Sequence, residues 1–350
     1  MTTPPDADTI AVELLAFARA LTERAELAFA SAPERMPGGE DTATYAFTLA
    51  DAPAPLDGPL VLRLFPGAGD ALGAAAGRAR FESAVHEAVA GVGYPCPRVR
   101  VTGDEAVIAG RHFLVLERLP GETLWARLKP PSRHMFGTGS LLADAQARLH
   151  ALDPAPLEAA VAALGDTDRL RPERMLEWSD ADLDARGGAP LRDTWAWLRA
   201  HQPPPAPRAI CHADFHPLNV IADGARLVGV VDWTDVQIAD PHFDVAQTVV
   251  LLHFAHVDAP PPVARAVDAM RRALQVQYRR AYARQHPLDE QRLAYFEAFA
   301  IARRLLQAAA AERTGRATSW AHPDVRRRLA ARLRGLTGVA GDDGGDVVWV

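Results

Sequence analysis

The sequence predicts an α+β protein with two lobes, a small lobe built on an antiparallel sheet and a larger, mainly helical lobe. Two observations support this prediction. Short strand patterns separated by turn residues fill the first third of the chain, whereas apolar residues at helical spacing dominate the second half. The breaker pair Pro120-Gly121 marks the boundary, which gives lobes at 1–118 and 119–340, followed by a flexible glycine- and aspartate-rich tail at 341–350.

The small lobe is predicted to begin with a helix from about Thr9 to Phe29, because Ile10, Leu14 and Leu21 recur at helical spacing. Turn residues then separate short apolar runs, which is typical of a hairpin sheet. The further predicted elements are strands Thr42–Leu49 and Leu60–Phe65, a helix Ala71–Val92, and strands Arg98–Val101, Ala106–Ile108 and His112–Leu116.

The larger lobe alternates helices with a few short strands. A helix is predicted at Leu141–Ala151, and a proline run near residue 205 ends a second helical stretch. Strand Arg208–Cys211 precedes a hairpin that turns at Asp223-Gly224, and the chain is mostly helical from Val263 onward.

Composition bounds the class of protein. The chain has 350 residues, of which 49% are apolar and 23% charged, as in soluble globular proteins. The net charge of −6 argues against a nucleic-acid binder; it weakly suits a cationic substrate, although an ordinary surface explains it equally well. Two cysteines do not make a disulfide framework. With no secretion signal or membrane span in the sequence, we expect a cytoplasmic monomer or homodimer without nucleic-acid or membrane partners.

The most informative segment is residues 212–219, His-Ala-Asp-Phe-His-Pro-Leu-Asn, which lies between two predicted strands. Phosphoryl transfer needs a carboxylate that orients the attacking hydroxyl, oxygen ligands for Mg²⁺ and a cation near the phosphates. Asp214 and Asn219 have the spacing of a kinase catalytic loop, and Asp232 follows after the hairpin. Alone, the first two residues could simply cap a turn, because aspartate and asparagine are common turn residues.

Three segments together resemble the aminoglycoside phosphotransferase family of kinase-like enzymes, which also includes macrolide, choline and homoserine kinases. They are residues 212–219, Gly-Val-Val-Asp-Trp at 229–233 and Asp-Pro-His-Phe-Asp-Val-Ala at 240–246. The resemblance implies a bilobal, protein-kinase-like fold. It also implies that Asp214 is catalytic, that Asn219 and Asp232 bind Mg²⁺, and that Asp244 braces the catalytic loop, with His212 as structural support.

Two positions depart from the family pattern. The family usually has glycine where this chain has Ala213 and Ala239. The difference matters only if the backbone there needs a positive φ, which alanine resists.

Residues of the small lobe are expected to bind the nucleotide. Arg63 lies within an apolar strand, where a charge needs a partner. The resemblance gives Arg63 the place of a phosphate-binding lysine and makes Glu82 its ion-pair partner; the single lysine, Lys129, lies beyond the lobe boundary. By the same resemblance, the adenine meets a hinge that includes Glu117 and Leu119, and Gly38-Gly39 begins the turn that covers the nucleotide.

The predicted function is a small-molecule kinase that transfers the γ-phosphoryl group of ATP or GTP to a hydroxyl of an antibiotic, aminosugar or amino alcohol. The acceptor pocket is expected between the helices after Val263 and the region from Asp153 to Trp197. One alternative is a kinase-like nucleotide-binding protein with weak or no turnover. Another is a metallohydrolase whose ligands are His212, Asp214, His216 and Asp232, although this leaves Asn219 and Arg63 without a role.

Overall fold

A five-stranded antiparallel sheet forms the small lobe, with strand order β1-β2-β3-β5-β4. The computed structural model describes residues 6–36, 42–66, 71–128, 135–254, 260–315 and 318–339, so Gly38, Gly39, Lys129 and the 341–350 tail lie outside the described residues. The elements are α1 (Ala7–Thr22), β1 (Phe29–Arg35), β2 (Ala43–Leu49), β3 (Pro59–Leu64), α2 (Ala71–Gly91), β4 (Val99–Ile108) and β5 (Arg111–Glu117).

The central strand β3 explains why Arg63 is enclosed. It pairs with β2 on one side and β5 on the other, which places Arg63 opposite Thr44 and Leu114. Apolar side chains of β2, β3 and β5 pack with α1 on one face of the sheet, whereas Phe65 and Leu114 pack with α2 on the other.

The first predicted helix was too long, and a strand was missed. The helix ends at Thr22, where Glu23 adopts a left-handed conformation with φ +54°, and Phe29 begins β1 instead. Most residues of β1 are exposed, so the alternating apolar pattern that identifies a strand is missing. The proline within β1, Pro33, suits its position at the edge of the sheet.

The two strands predicted between Arg98 and Ile108 are one irregular strand, β4. Its pairing with β5 shifts register between Gly103 and Ile108. Gly103 lies directly against the ring of Phe113, since a Cβ at this position would be 2.4 Å from a ring carbon. A glycine often marks an interruption of a strand pattern, but Gly103 instead allows close packing within one continuous strand.

The larger lobe is mainly helical, as predicted, and it contains two small antiparallel sheets that include two strands not predicted, Glu122–Thr123 and Gln237–Ala239. Strand β7 pairs with β10, and a second sheet has the order β6-β8-β9. The elements are β6 (Glu122–Thr123), α3 (Met135–His150), α4 (Ala155–Ala162), α5 (Asp180–Ala185), α6 (Arg192–Ala200), β7 (Ala209–Cys211), β8 (Val220–Asp223), β9 (Arg226–Val230), β10 (Gln237–Ala239), α7 (Pro241–Phe254), α8 (Pro261–Ala283), α9 (Glu290–Arg313) and α10 (Pro323–Thr337).

Helix α2 joins the small sheet to the larger lobe. Its residues Phe81, Val85 and Val89 belong to the same buried apolar cluster as Leu142 of α3 and Tyr278 of α8. This packing holds Glu82, which follows Phe81 in α2, near the junction of the lobes.

In the part of the chain that the structure describes, no helix combines the length and apolar character needed to span a bilayer.

Candidate active site

The loop at 212–219 connects β7 to β8 and is held from below by Asp244 in the first turn of α7. The fully buried Asp244 carboxylate accepts hydrogen bonds from the backbone N–H groups of His212, at 3.0 Å, and Ala213, at 2.6 Å. His150 Nε2 lies 3.0 Å from the same carboxylate. Asp244 therefore connects α7 to the backbone at the start of the loop.

The backbone at Ala213 is strained, because its φ is +62°. Residues with a Cβ are less stable than glycine in the left-handed conformation. One of the two departures from the family pattern, Ala213, therefore falls at a position that favours glycine. Ala239, in β10, is not among the residues with positive φ. Asp232 also adopts a positive φ, +65°, and backbone strain of this kind is often found at functional sites.

His212 links the loop to the segment that carries Asp232. The buried imidazole donates from Nε2 to the carbonyl oxygen of Val231 at 3.0 Å. Its Nδ1 accepts from the backbone N–H of Asp214 at 3.3 Å. Both ring nitrogens are engaged, which fits a supporting role and leaves neither nitrogen for a metal.

Asp214 and Asn219 contact each other at the mouth of the loop. Asn219 Nδ2 donates to the backbone carbonyl of Asp214 at 3.0 Å and lies 3.3 Å from its Oδ2. His216 Nε2 lies 3.2 Å from the same carboxylate oxygen. The carboxylate is thus fixed in orientation by side chains of its own loop.

Arg304, on α9, reaches Asp214 from the opposite side and was missed in the sequence. Its Nη2 donates to Asp214 Oδ1 at 3.2 Å. The guanidinium is buried and stacks over the ring of Trp320 at 4.9 Å. The only sequence signal is an arginine within an apolar helix face, and nothing along the chain pairs it with an aspartate ninety residues away.

Burial alone would raise the pKa of Asp214, because a charge loses hydration. The neighbouring imidazole of His216 and the guanidinium of Arg304 outweigh burial and hold the pKa well below its usual range. Asp214 is therefore an ionised hydrogen-bond acceptor at neutral pH.

Arg63 bridges the two lobes. Its Nη2 donates to Asp232 Oδ1 and to Thr234 Oγ1, each at 2.8 Å. Its Nε lies 3.0 Å from Glu82 Oε1 but off the direction of a hydrogen bond, so this contact is an ion pair only. The ion pair expected between these two residues is present, whereas Thr234 was not foreseen.

The charged groups in this cluster shift the pKa values of their neighbours. Burial raises the pKa of Glu82, and the adjacent Arg63 offsets this only in part. Burial also acts to raise the pKa of Asp232, but Arg63 outweighs it and the net pKa is lowered. Asp232 is therefore ionised at neutral pH and able to bind a cation.

Asn219 and Asp232 offer a donor set that fits Mg²⁺. The backbone N–H of Val231 donates to the carbonyl of Asn219 at 2.9 Å, so the two candidate ligands lie at the same end of the β8–β9 hairpin, Asn219 just before β8 and Asp232 just after β9. Among the described residues, Asn219 Oδ1 and Asp232 Oδ2 accept no hydrogen bond. Unused amide and carboxylate oxygens are the ligands that this hard cation prefers.

The two residues expected at the hinge lie at the end of β5 and against β9. The backbone N–H of Glu117 donates to Arg98 at 2.9 Å, which anchors the end of β5. Leu119 packs against Gly229 of β9, where an added Cβ would be 2.5 Å from Leu119 Cδ1. Gly38 and Gly39, the expected nucleotide cover, fall outside the described residues.

A cavity of about 180 Å³ opens next to Thr234, where α9 faces the segment from Arg169 to Trp178. It combines the two regions in which the acceptor pocket was expected. Its walls are Arg169, Arg171, Pro172, Arg174, Met175, Trp178, Thr234, Asp235, Gln237, Phe243, Phe299 and Arg303.

The geometry disfavours the metallohydrolase alternative. Within the described parts of the chain, the one group of three potential metal ligands whose atoms converge is His150, Cys211 and Asp244, and all three are buried. That group is the brace beneath the loop. It does not include His212, His216 or Asp232, which the metallohydrolase hypothesis requires.

Comparisons with known proteins agree with this geometry. The chain matches the model of the phosphotransferase enzyme family over residues 34–283. The mouse protein "Acyl-CoA dehydrogenase family member 10" is 27% identical over 217 residues; the match spans 59% of this chain but only 19% of that relative.

Solved structures show the same fold. A Ralstonia eutropha protein assigned as an aminoglycoside phosphotransferase has 19% identity and a TM-score of 0.62, with 96% of this chain and 98% of that chain covered. A thermostable mutant of aminoglycoside phosphotransferase APH(4)-Ia, in ternary complex with ADP and hygromycin B, has 16% identity and a TM-score of 0.55, with 93% and 98% covered. The chain belongs to the phosphotransferase enzyme family and has the bilobal, kinase-like fold.

Proposed function

We propose that this enzyme transfers the γ-phosphoryl group of ATP or GTP to a hydroxyl of a small molecule, with Asp214 as the catalytic residue. The observation that supports this most is the hydrogen bond from Asn219 to Asp214, beside the ion pair of Asp232 with Arg63. These contacts bring together an acceptor-orienting carboxylate, two metal-binding oxygens and a cation, which is what phosphoryl transfer requires.

Asp214 would accept a hydrogen bond from the acceptor hydroxyl and then its proton. A carboxylate with a lowered pKa is a weak base, so orientation would matter more than early deprotonation. This suits a loose transition state, in which the nucleophile contributes little bonding before the leaving oxygen departs. His212 and Asp244 would keep the carboxylate in place through the loop backbone.

Asn219 and Asp232 would hold Mg²⁺, which neutralises charge on the nucleotide phosphates when bound. Arg63 would contact the α- and β-phosphates, oriented by Glu82. No described residue makes a hydrogen bond or ion pair with Arg63 Nη1, so this nitrogen is available to a phosphate oxygen. Because Nη2 donates to Asp232 and Thr234 and Nε faces Glu82, Nη1 would be the nitrogen that binds phosphate.

The two lobes would bind different substrates. Residues 1–118, with the hinge at Glu117 to Leu119 and the turn at Gly38-Gly39, would bind the nucleotide. Residues 119–340 would carry the catalytic loop and bind the acceptor. The neighbour solved with ADP and hygromycin B supports a nucleotide and a small molecule as the two partners.

One observation favours a kinase-like binding protein without turnover. Arg63 donates a hydrogen bond to Oδ1 of Asp232, and the carboxylate of Asp232 would have to face the metal. Asp232 Oδ2 remains open among the described residues, however, and the three residues needed for chemistry are all retained. The two functions differ in whether nucleotide is consumed.

Nucleotide binding with and without Mg²⁺ tests the metal site. We expect Asp232→Ala to abolish the Mg²⁺-dependent part of ADP affinity, because the phosphate charge would lose its bridging cation. Asp223→Ala, which removes an exposed aspartate from the hairpin turn, is the matched control and should bind as the wild type does. Equal Mg²⁺ dependence in both variants would remove Asp232 from the metal site.

ADP release from Mg·ATP or Mg·GTP in the presence of a panel of hydroxyl compounds then tests turnover. Release that depends on an acceptor supports the kinase. Mg²⁺-dependent binding without release under any acceptor would favour the binding protein instead.

A further inference from the structure

The cavity beside Thr234 has an unusual charge for an enzyme with a net charge of −6. Four of its wall residues are arginines, Arg169, Arg171, Arg174 and Arg303, and only Asp235 contributes a carboxylate. The cavity therefore presents more positive than negative groups to whatever enters it.

The arginines differ in how far they are neutralised. Arg303 donates to Asp235 at 2.8 Å, and Arg171 pairs with Asp168 and Glu177 outside the cavity. Arg169 is 3.8 Å from the nearest oxygen of Asp166. In the described chain, the exposed side chain of Arg174 has no ion pair or hydrogen bond. At least one full positive charge is thus available to a ligand.

The cavity borders the catalytic cluster. Thr234 lines its wall, accepts from Arg63 and donates to Asp232 Oδ1 at 2.8 Å. On the α9 side, Arg303 is followed by Arg304, which binds Asp214. A small molecule in the cavity would therefore lie next to Thr234, which contacts both Arg63 and Asp232.

The remaining walls are largely apolar. Phe243 and Phe299 are buried within the larger lobe, and Met175 and Trp178 come from the facing segment. Apolar walls with a few convergent polar groups are typical of small-molecule sites. An ammonium group would have to lose hydration next to arginines, which is unfavourable, whereas a carboxylate or phosphate would gain charge-assisted hydrogen bonds.

We propose that the acceptor is an anionic hydroxyl compound, with a short carbon skeleton bearing a carboxylate or phosphate that Arg174 and its neighbours bind. The claim that this ligand is a phosphoryl acceptor rests on the proposed kinase reaction. The claim that the cavity binds an anion does not depend on that reaction. This acceptor departs from the antibiotic, aminosugar and amino alcohol acceptors expected from the sequence.

Binding can be measured without turnover. The wild-type enzyme would be saturated with Mg·ADP and titrated, by saturation-transfer NMR, with hydroxy acids of about three to six carbons, their phosphate esters, their primary amides and the matching amino alcohols. We expect the carboxylates or phosphates to bind, and the amides and amino alcohols to bind at least about 10-fold more weakly. Saturating ADP ensures that an anion detected in this way does not occupy the nucleotide's phosphate site.

Charge reversal supplies the matched pair of variants. Arg174→Glu should weaken the anionic probes about 10-fold or more, whereas Arg226→Glu, at an exposed arginine of the β8–β9 hairpin, should leave them unchanged. Both side chains are exposed, so neither change threatens folding. Equal binding of anionic and cationic probes, no detectable binding of the anions at saturating Mg·ADP, or an unchanged affinity in Arg174→Glu would overturn the proposal.

Turnover under Mg·ATP separates this proposal from the kinase reaction. If anions bind as expected but no probe releases ADP, the anion site stands and the proposed reaction fails. If amino alcohols bind and release ADP while the hydroxy acids and phosphates do neither, the reaction stands and the anionic acceptor is wrong.

Discussion

Arg304 Nη2 donates to Asp214 Oδ1 across 3.2 Å, so helix α9 adds a buried positive charge beside the proposed catalytic residue. The contact involves one carboxylate oxygen, while the other faces His216 and Asn219. Because Arg304 is buried and Asp214 is not freely hydrated, their interaction is screened far less than one on the surface. Arg304 is therefore proposed as a positioning residue.

Replacing Arg304 should change the pH dependence of the reaction. His216 and Arg304 both lower the pKa of Asp214, so Arg304→Gln should let this pKa rise part of the way toward the ordinary value of about 3.9. Activity that requires ionised Asp214 is lost as pH falls through that pKa, so the acidic limb of the kcat/KM profile should move to higher pH. We also expect kcat to fall about 10-fold, with little change in nucleotide KM.

Arg304→Lys distinguishes charge from packing. A lysine keeps the positive charge but loses the planar stacking on Trp320. The acidic limb should stay close to that of the wild type, even if kcat falls. Identical acidic limbs in the Gln variant, the Lys variant and the wild type would show that Arg304 only supports the fold.

Arg63 should affect nucleotide binding and turnover together. Arg63→Ala removes the contacts to Glu82, Asp232 and the nucleotide phosphates, so nucleotide KM should rise and kcat fall, with a combined loss in kcat/KM of about 10- to 100-fold. Arg63→Lys should recover only part of this, because a lysine cannot reach all three partners at once.

A double-mutant cycle checks whether Glu82 acts through Arg63. Arg63→Ala leaves the buried Glu82 without its ion-pair partner, so it should destabilise the protein by about 3 kcal/mol or more, whereas Glu82→Ala leaves Arg63 paired with Asp232 and should cost less. Arg63→Ala combined with Glu82→Ala should then cost less than the two changes summed. Strict additivity in both kcat/KM and unfolding free energy would mean that the pair is not coupled.

Ala213 provides a test of backbone strain. Glycine at this position would relieve about 1–2 kcal/mol of left-handed backbone strain. It would also remove a buried methyl group, worth about 0.8 kcal/mol, and make the unfolded chain more flexible, and both of these effects destabilise the fold. These contributions nearly cancel, so Ala213→Gly should stay within about 1 kcal/mol of the wild type in chemical unfolding.

Ala239 is the matched control for this experiment. It is equally buried but lies in a strand without positive φ, so Ala239→Gly relieves no strain. It should be the more destabilising change, by about 1 kcal/mol or more. A larger loss at Ala213 than at Ala239 would show that the left-handed backbone there is not strained.

The proximity of Asp214 and Asn219 could be predicted because the pattern is local in sequence. The two residues lie five positions apart and contact each other directly, whereas their roles in phosphoryl transfer stay a prediction. The β8–β9 hairpin was predictable for the same reason, since its turn residues lie between two apolar runs.

The missed features depend on contacts between distant segments. Arg304 and Thr234 acquire their roles only when α9 and α2 pack against the loop, and neither position has a distinctive local pattern. Strand β1 escaped because it is mostly exposed, and its extended form is imposed by pairing with β2. The arginines of the cavity come from two regions more than a hundred residues apart, so their shared charge could not be seen along the chain.

Phosphoryl transfer by Asp214→Asn tests the central claim most directly. The amide keeps the size of the side chain but cannot accept the hydroxyl proton, and the nucleotide does not depend on it. We predict a rate of ADP release at least about 100-fold below the wild type with any acceptor that the wild type uses, at an ADP affinity within about 3-fold of the wild type. Asp223→Asn, in the exposed hairpin turn, should retain the full rate. An Asp214→Asn enzyme that keeps more than about a tenth of the wild-type rate would contradict the assignment of Asp214 as the catalytic residue.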